Sequence, residues 1–278
     1  MKPIPPSELI LNPNGSIYHL YLLPDQIGDT ILTVGDPNRV EQVSRHFDKV
    51  EFRMQKREFV THTGQINGKR VTVISSGMGT DNIEILLTEL DALVNIDLET
   101  RLPKPKTRAL SIIRLGTSGA LQPDIPLDSL LVSNYAIGLD TLMCFYDLPQ
   151  SPIEISIVKN LRHDLQLPFT PYAVAANQDL KQQFAYDMIN GNTITCPGFY
   201  APQGRKLRLA PKNEDYIPTL VNFEHKGFKL TNFEMETAGY YAMAHLLGHR
   251  ILSINAIIAS RNSQEFSSHP QKTIDKMI

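Results

Sequence analysis

Cysteine is scarce in this chain: 278 residues carry two, Cys144 and Cys196. They lack the spacing of a metal-binding pair, and two in a chain of this size do not make a disulfide framework. A reducing compartment is therefore expected. Also missing is any apolar run near the roughly 20 residues that cross a bilayer. The start, MKPIPPSELILNPNGS, lacks the charged and apolar regions of a secretory signal. Neither sign of charge dominates: the formal net charge is −2, with both signs mixed along the chain and no basic stripe or polybasic tail. Nucleic acid and membrane surfaces are poor partners for such a chain. A small anion is still open to it, because net charge does not report a few local arginines. No repeat and no low-complexity segment is present. With 42% hydrophobic residues the expectation is a soluble, cytoplasmic protein with a substantial core.

What is present is an alternation of short β-rich runs and helical patterns. Residues up to about Leu20 are rich in proline and asparagine and read as an arm with little structure of its own. Thr30–Val34 reads as a strand ending at Gly35-Asp36-Pro37, a turn able to start a helix. Phe59–Ile66 alternates, and Arg70–Ser75 follows the hairpin signal Asn67-Gly68. From Thr80 a helix is predicted, with Ile83, Leu86, Leu87, Leu90 and Leu93 at helical intervals. Ala109–Leu115 and Ser129–Ile137 read as strands, Asn232–Leu247 as a helix, and Ile251–Ala259 as a buried strand. This alternation predicts an α/β domain with a central sheet, undivided by any linker.

Three glycine turns are expected at strand ends: Gly35-Asp36-Pro37, Gly77-Met78-Gly79 and Gly116-Thr117-Ser118-Gly119. Backbone N–H groups at such turns can approach an anion, although a glycine after a strand is usually only a turn. Arginines stand beside them. Arg39 follows Gly35 by four residues, and Arg114 interrupts an apolar strand just before Gly116. A guanidinium in a strand interior must meet a carboxylate or a bound anion, and either satisfies it. Phe199-Tyr200-Ala201-Pro202-Gln203-Gly204-Arg205 adds an aromatic face, an amide and a guanidinium. In an extended loop Gln203 and Arg205 would point the same way, a pairing suited to the O2, N3–H and O4 edge of uracil. An ordinary polar surface loop is the alternative. Glu234-Met235-Glu236 places two acids at the head of the predicted helix. They favour the helix dipole, accept from sugar hydroxyls, or act as an acid–base pair.

In order along the chain, VGDPNRV, KREF, SSGMG, IRLGTSGA, FYAPQGR and NFEMETA resemble the nucleoside phosphorylase family, and within it most closely the uridine phosphorylases. The resemblance runs from Ile17-Tyr18-His19-Leu20 to about Gln264. It implies an α/β fold, a single domain over 1–278 with a central mixed, partly barrel-like β-sheet flanked by helices, and an N-terminal arm over 1–16. It implies phosphorolysis of uridine to uracil and ribose 1-phosphate by a pentosyltransferase that needs no cofactor and takes inorganic phosphate as co-substrate. Gly35, Arg39, Arg114 and Thr117 fall at the family's phosphate site, and Arg57 matches an arginine lent by a neighbouring subunit. His19 matches the histidine that reaches across to the ribose 5′-hydroxyl. Met235 falls under the ribose and Glu236 at its 2′ and 3′ hydroxyls, with Glu234 counted beside them among the nucleoside-binding residues. Gln203 and Arg205 fall on the uracil-reading pair and Phe199 on the aromatic against the base. The catalytic set is Arg114, Arg205, Gln203 and Glu236. Glu58, Met78 and Asn82 align with a monovalent-cation site, potassium, at the subunit interface of some bacterial members. Self-association as a dimer, or as a hexamer of three dimers, is implied with sites shared between subunits.

The chain departs from that pattern in three places. Thr80-Asp81-Asn82 differs from the usual cation-site sequence, residues 179–191 read as an added helix, and the terminal helix is expected to be short. Purine-cleaving relatives carry an aspartate after the strand matching Ile251–Ala259; here Ala259-Ser260-Arg261-Asn262 holds no acid. A purine nucleoside phosphorylase, a hydrolytic nucleosidase and a nucleoside-binding protein without turnover are the competing readings. Uridine, thymidine and deoxyuridine are not separated by sequence.

Overall fold

The computed structural model describes residues 2–213 and 215–278; Met1, at the head of the expected arm, and Glu214 lie outside the described residues. Thr30–Val34 forms β1, and helix α1 (Pro37–Ser44) opens with proline after Asp36, whose carboxylate accepts from the Asn38 N–H. That capped, proline-led start follows directly from the Gly35-Asp36-Pro37 sequence. β2 (Lys49–Lys56), β3 (Phe59–Ile66) and β4 (Lys69–Ser75) are successive antiparallel neighbours. The turn between β3 and β4 is at Asn67-Gly68, both at positive φ. β4 runs parallel to β1, from Thr30 opposite Val71 to Val34 opposite Ser75. Helix α2 (Thr80–Asn95) buries the predicted leucine stripe. The short ladder of β5 (Ile96–Asp97) and β6 (Leu102–Pro103) leads to β7 (Ser111–Ala120).

After β7 come β8 (Leu130–Gly138), α3 (Pro152–Asp164), β9 (Tyr172–Ala175), α4 (Gln178–Phe184), β10 (Ile189–Thr195) and α5 (Tyr216–Asn222). The short pair β11 (Glu224–His225) and β12 (Phe228–Lys229) precedes β13 (Asn232–Glu234), α6 (Thr237–Leu247), β14 (Arg250–Ser260), β15 (Glu265–Phe266) and α7 (Pro270–Met277). The chain divides into two compact units, one of Met1–Gly77, Asn82–Arg114 and Met243–Arg250, the other of Met78–Asp81, Leu115–Ala242 and Ile251–Ile278.

The first unit packs α1 on β3 and β4 and buries Ile31, Val34, Val73, Leu86, Leu90 and Leu93. In the second, β14, β8, β10, β13 and β7 pair in succession and β7 pairs back to β14, so these strands close on themselves. Pairing is parallel for β8–β10 and β10–β13 and antiparallel for β13–β7 and β14–β8. Its core gathers Ile137, Ile157, Leu161, Ile194 and Phe233. The fold is α/β, with a mixed, partly barrel-like sheet flanked by helices, as expected from sequence.

Four local readings are corrected. Gly116-Thr117-Ser118-Gly119 is not a turn but the interior of β7. Gly119 faces Phe233 of β13, and a Cβ there would lie 3.1 Å from the Phe233 ring, so this glycine makes room for a neighbour rather than a bend. Asn232–Leu247 is not one helix: Asn232–Glu234 pairs as a strand, and the helix begins at Thr237. The predicted helix over 179–191 ends at Phe184, and β10 begins at Ile189. The N-terminal arm is not loose, since Leu9, Ile17, Leu20 and Leu22 are buried and Arg101 donates to the carbonyls of Ile4 and Leu9. Its apolar residues anchor it despite its proline content.

Candidate active site

In the first unit Gly35 follows β1 and half-buried Arg39 stands in the first turns of α1. Burial lowers the pKa of Arg39, the Asp36 carboxylate opposes this, and the Arg114 guanidinium adds to the lowering. Arg39 and Arg114 therefore sit close enough to repel, and Arg114 is only 5% exposed. Guanidinium groups that repel each other while held partly out of water gain from an anion placed between them. A Cβ on Gly35 would meet only the Gly77 carbonyl oxygen, at 3.6 Å, so the protein itself leaves room there. Arg57 occupies the exposed β2–β3 turn at φ +55°, a position suited to a residue lent to another copy. His19 is half-buried, with Nδ1 2.6 Å from Glu89 Oε1.

Glu58 and Asn82, of the expected cation site, converge on Gly77. A Cβ on that glycine would lie 2.6 Å from Asn82 Nδ2 and 3.1 Å from Glu58 Cγ, and its φ is +72°. One carboxylate and one amide oxygen are hard donors of the kind an alkali cation takes. Met78, 75% exposed, brings a soft thioether and fits such an ion only through its carbonyl oxygen.

In the second unit the segment Phe199–Arg205 is not extended. Ala201–Gln203 forms a 3-10 turn, and Gly204 follows in the left-handed region at φ +67°. This turn, not strand alternation, brings Gln203 and Arg205 together: Arg205 Nη1 donates to Gln203 Oε1 at 2.6 Å and to the Phe199 carbonyl at 2.5 Å. The Arg205 guanidinium lies 3.7 Å above the centre of the Phe199 ring. Gln203 is 3% exposed while Phe199 is 49% exposed, a buried polar reader beside an open aromatic face. Burial, then the nearby Arg261 guanidinium, lower the pKa of Arg205.

Glu234 and Glu236 have separate surroundings. Glu234 Oε1 accepts from the Thr195 hydroxyl at 2.6 Å, and Oε2 accepts from the N–H groups of Glu236 and Thr237 at 2.9 and 2.8 Å. Its carboxylate caps α6 and fixes the backbone of Glu236. Glu236 Oε1 accepts from the Gly79 N–H at 2.8 Å. Half-buried Met235 lies between them, and Thr117 is half-buried in β7. An acid–base pair is the reading these surroundings favour least, because Glu234 is occupied by backbone.

Three features were not read from the sequence. Arg261 donates to the Gly204 carbonyl at 3.2 Å and adds charge beside Arg205. Its sequence signal is a cation placed just after the apolar strand Ile251–Ala259. Asp140, 7% exposed, accepts from the Tyr172 hydroxyl at 2.8 Å and from the Leu142 N–H at 2.9 Å. Burial raises its pKa, those hydrogen bonds oppose the shift, and Glu234 adds to it. Glu89 is the third.

The chain is 28% identical over 261 residues to a uridine phosphorylase of Thermococcus kodakarensis, covering 93% of this chain and 82% of that protein. It is 27% identical to the uridine phosphorylase of Haemophilus influenzae, covering 90% and 88% of the two chains. A solved structure of a Trypanosoma brucei nucleoside phosphorylase, described as showing uridine phosphorylase activity, superposes with a TM-score of 0.87 at 26% identity, covering 97% of this chain and 98% of that one. The model of the phosphorylase superfamily matches residues 29–277, and on that match the chain belongs to the phosphorylase superfamily.

Proposed function

We propose that this protein is a pentosyltransferase that cleaves uridine with inorganic phosphate, releasing uracil and ribose 1-phosphate. The observation that carries this reading is the Phe199, Gln203 and Arg205 group. An amide that donates and accepts is buried against a guanidinium that only donates, beside an aromatic face. That set matches the two carbonyls and single N–H of uracil. The uridine phosphorylases among its relatives support the same substrate.

Arg39, Arg114, Thr117 and the Gly35 backbone hold phosphate, with Arg57 supplied by a neighbouring copy. Met235 and Glu236 hold the ribose, Glu236 accepting from its 2′ and 3′ hydroxyls, and His19 meets the 5′-hydroxyl. A phosphate oxygen forms its bond to C1′ as the C1′–N1 bond breaks and its electron pair moves onto the uracil ring, which then takes a proton from solvent. Arg205 and Gln203 stabilise that charge where it develops. Bound order, rather than a protein nucleophile, provides the rate. The proposal requires both sets to act on one nucleoside–phosphate pair within a single catalytic domain over 1–278.

Glu58, Asn82 and the Met78 carbonyl are the groups that would hold a potassium ion, which would supply fixed positive charge and order at a subunit boundary. Self-association, as a dimer or a hexamer of three dimers, is part of the proposal, supported by the exposed Arg57 turn. A cytoplasmic setting is supported by two free cysteines, Cys144 and Cys196.

The test is base release from uridine, thymidine and inosine, each with and without phosphate. Release from uridine only with phosphate is expected. Release without phosphate identifies a hydrolase, preference for inosine a purine enzyme, and binding with no release a protein without turnover.

A further inference from the structure

Glu89 lies on α2 with its side chain 11% exposed, and its carboxylate is directed at one dipeptide. Both oxygens accept from the His19 N–H at 3.0 Å, and Oε2 also accepts from the Leu20 N–H at 2.8 Å. Oε1 lies 2.6 Å from His19 Nδ1. A carboxylate can only accept, so Nδ1 carries the hydrogen, and in the neutral ring Nε2 keeps its lone pair. The backbone bonds alone would tie this segment to α2. The bond to the ring adds something different: it sets the direction and tautomer of a side chain that is itself 28% exposed. The Tyr18 ring, edge-on at 4.7 Å, restricts the same imidazole further.

We infer that Glu89 is a positioning residue for phosphorolysis, holding His19 as the Nδ1–H tautomer so that Nε2 accepts a hydrogen bond from the 5′-hydroxyl of the nucleoside. This rests on the role proposed for His19 above. Such a carboxylate–imidazole pair fixes a ring that would otherwise sample both tautomers and several rotamers.

The experiment uses full-length protein labelled with 15N-histidine. A long-range proton–nitrogen correlation spectrum reads the tautomer, with the His19 signals identified by their loss in His19→Asn. A protonated Nδ1 and bare Nε2 are expected in the wild type, with a shift toward Nε2–H in Glu89→Gln. The same variant should lose about tenfold in kcat/KM on uridine, the size of one hydrogen bond, and change little on 5′-deoxyuridine. A wild-type His19 protonated on Nε2 overturns the inference, as does an equal loss on both substrates, which is the pattern of a backbone anchor. Should Glu89→Gln not fold, the wild-type spectrum decides together with Glu89→Asp, which keeps the charge and withdraws it from Nδ1. Unchanged preference between the two substrates in His19→Asn removes the role of His19 itself, and the inference falls with it. Changed preference in His19→Asn but not in Glu89→Gln overturns the Glu89 role alone.

Discussion

Replacing Arg205 by alanine removes the guanidinium stacked on Phe199 and bonded to Gln203. If that group stabilises charge on the departing base, kcat/KM for uridine should fall by about 10²–10³, corresponding to roughly 3–4 kcal/mol, with the melting temperature nearly unchanged. Lysine should not rescue it, because a point charge cannot keep both the planar stack and the fork. Kinetics of either variant within a few-fold of wild type would remove the base-reading assignment. Arg39→Ala tests the anion side separately: the KM for phosphate should rise at least about tenfold, the scale of a lost charge-assisted hydrogen bond. Asp140 makes a prediction of a different kind. Its folded pKa is raised, so its contribution to stability is fully present below the unfolded carboxylate pKa and is lost as pH rises through the folded value. Asp140→Asn, whose amide can face the Tyr172 oxygen while its carbonyl accepts from Leu142, removes that slope. Melting temperatures between about pH 4 and pH 8 should show the variant gaining on wild type as pH rises. At this scale the sequence revealed residue types better than geometry. Gln203 and Arg205 are recognisable, yet the turn that joins them depends on Gly204 adopting a left-handed conformation. Asp140 and Tyr172 are separated by a helix and could not be paired by reading along the chain.

Helix α6 owes its start to a carboxylate outside it. Glu234 supplies the acceptor for the N–H groups of Glu236 and Thr237, so Glu234→Ala leaves both donors without it. The expected cost is about 1–3 kcal/mol, read by urea unfolding, with a raised KM for uridine because Glu236 loses its backbone support. Equal stability in the variant would show that the cap contributes nothing. The strand at Asn232–Glu234 shows why the element was hard to see. Both acids and Met235 are compatible with helix, and only pairing with β10 and β7, at residues distant in sequence, selects the strand. Helix α3, by contrast, starts on a wholly local device, the reciprocal bonds of Ser151 and Glu154 that form a capping box. The glycines of β7 misled in the other direction: glycine after an apolar run suggests a turn, whereas Gly119 answers to the ring of Phe233 across the sheet.

For the whole molecule, the decisive question is whether one copy of the chain completes an active site. Arg57 stands on an exposed hairpin turn, and large apolar side chains are exposed elsewhere, Phe145 at 82% and Tyr186 at 80%. If Arg57 serves a neighbour while Arg205 serves its own copy, Arg57→Ala and Arg205→Ala damage different subunits of the same site. Dissociating each variant, mixing the two and reassociating them then creates mixed pairs. In a mixed pair, the copy with an intact Arg205 receives an intact Arg57, and the other copy lacks both. With random pairing of equal amounts, about a quarter of all sites regain both arginines, so activity should rise toward one quarter of wild type. Arginines acting within one copy would give no gain on mixing, because neither variant chain could ever hold an intact set. Sedimentation of the wild-type protein adds the mass, which should be a multiple of 31.2 kDa. A 31.2 kDa particle with full activity would exclude shared sites and return Arg57 to an ordinary turn residue.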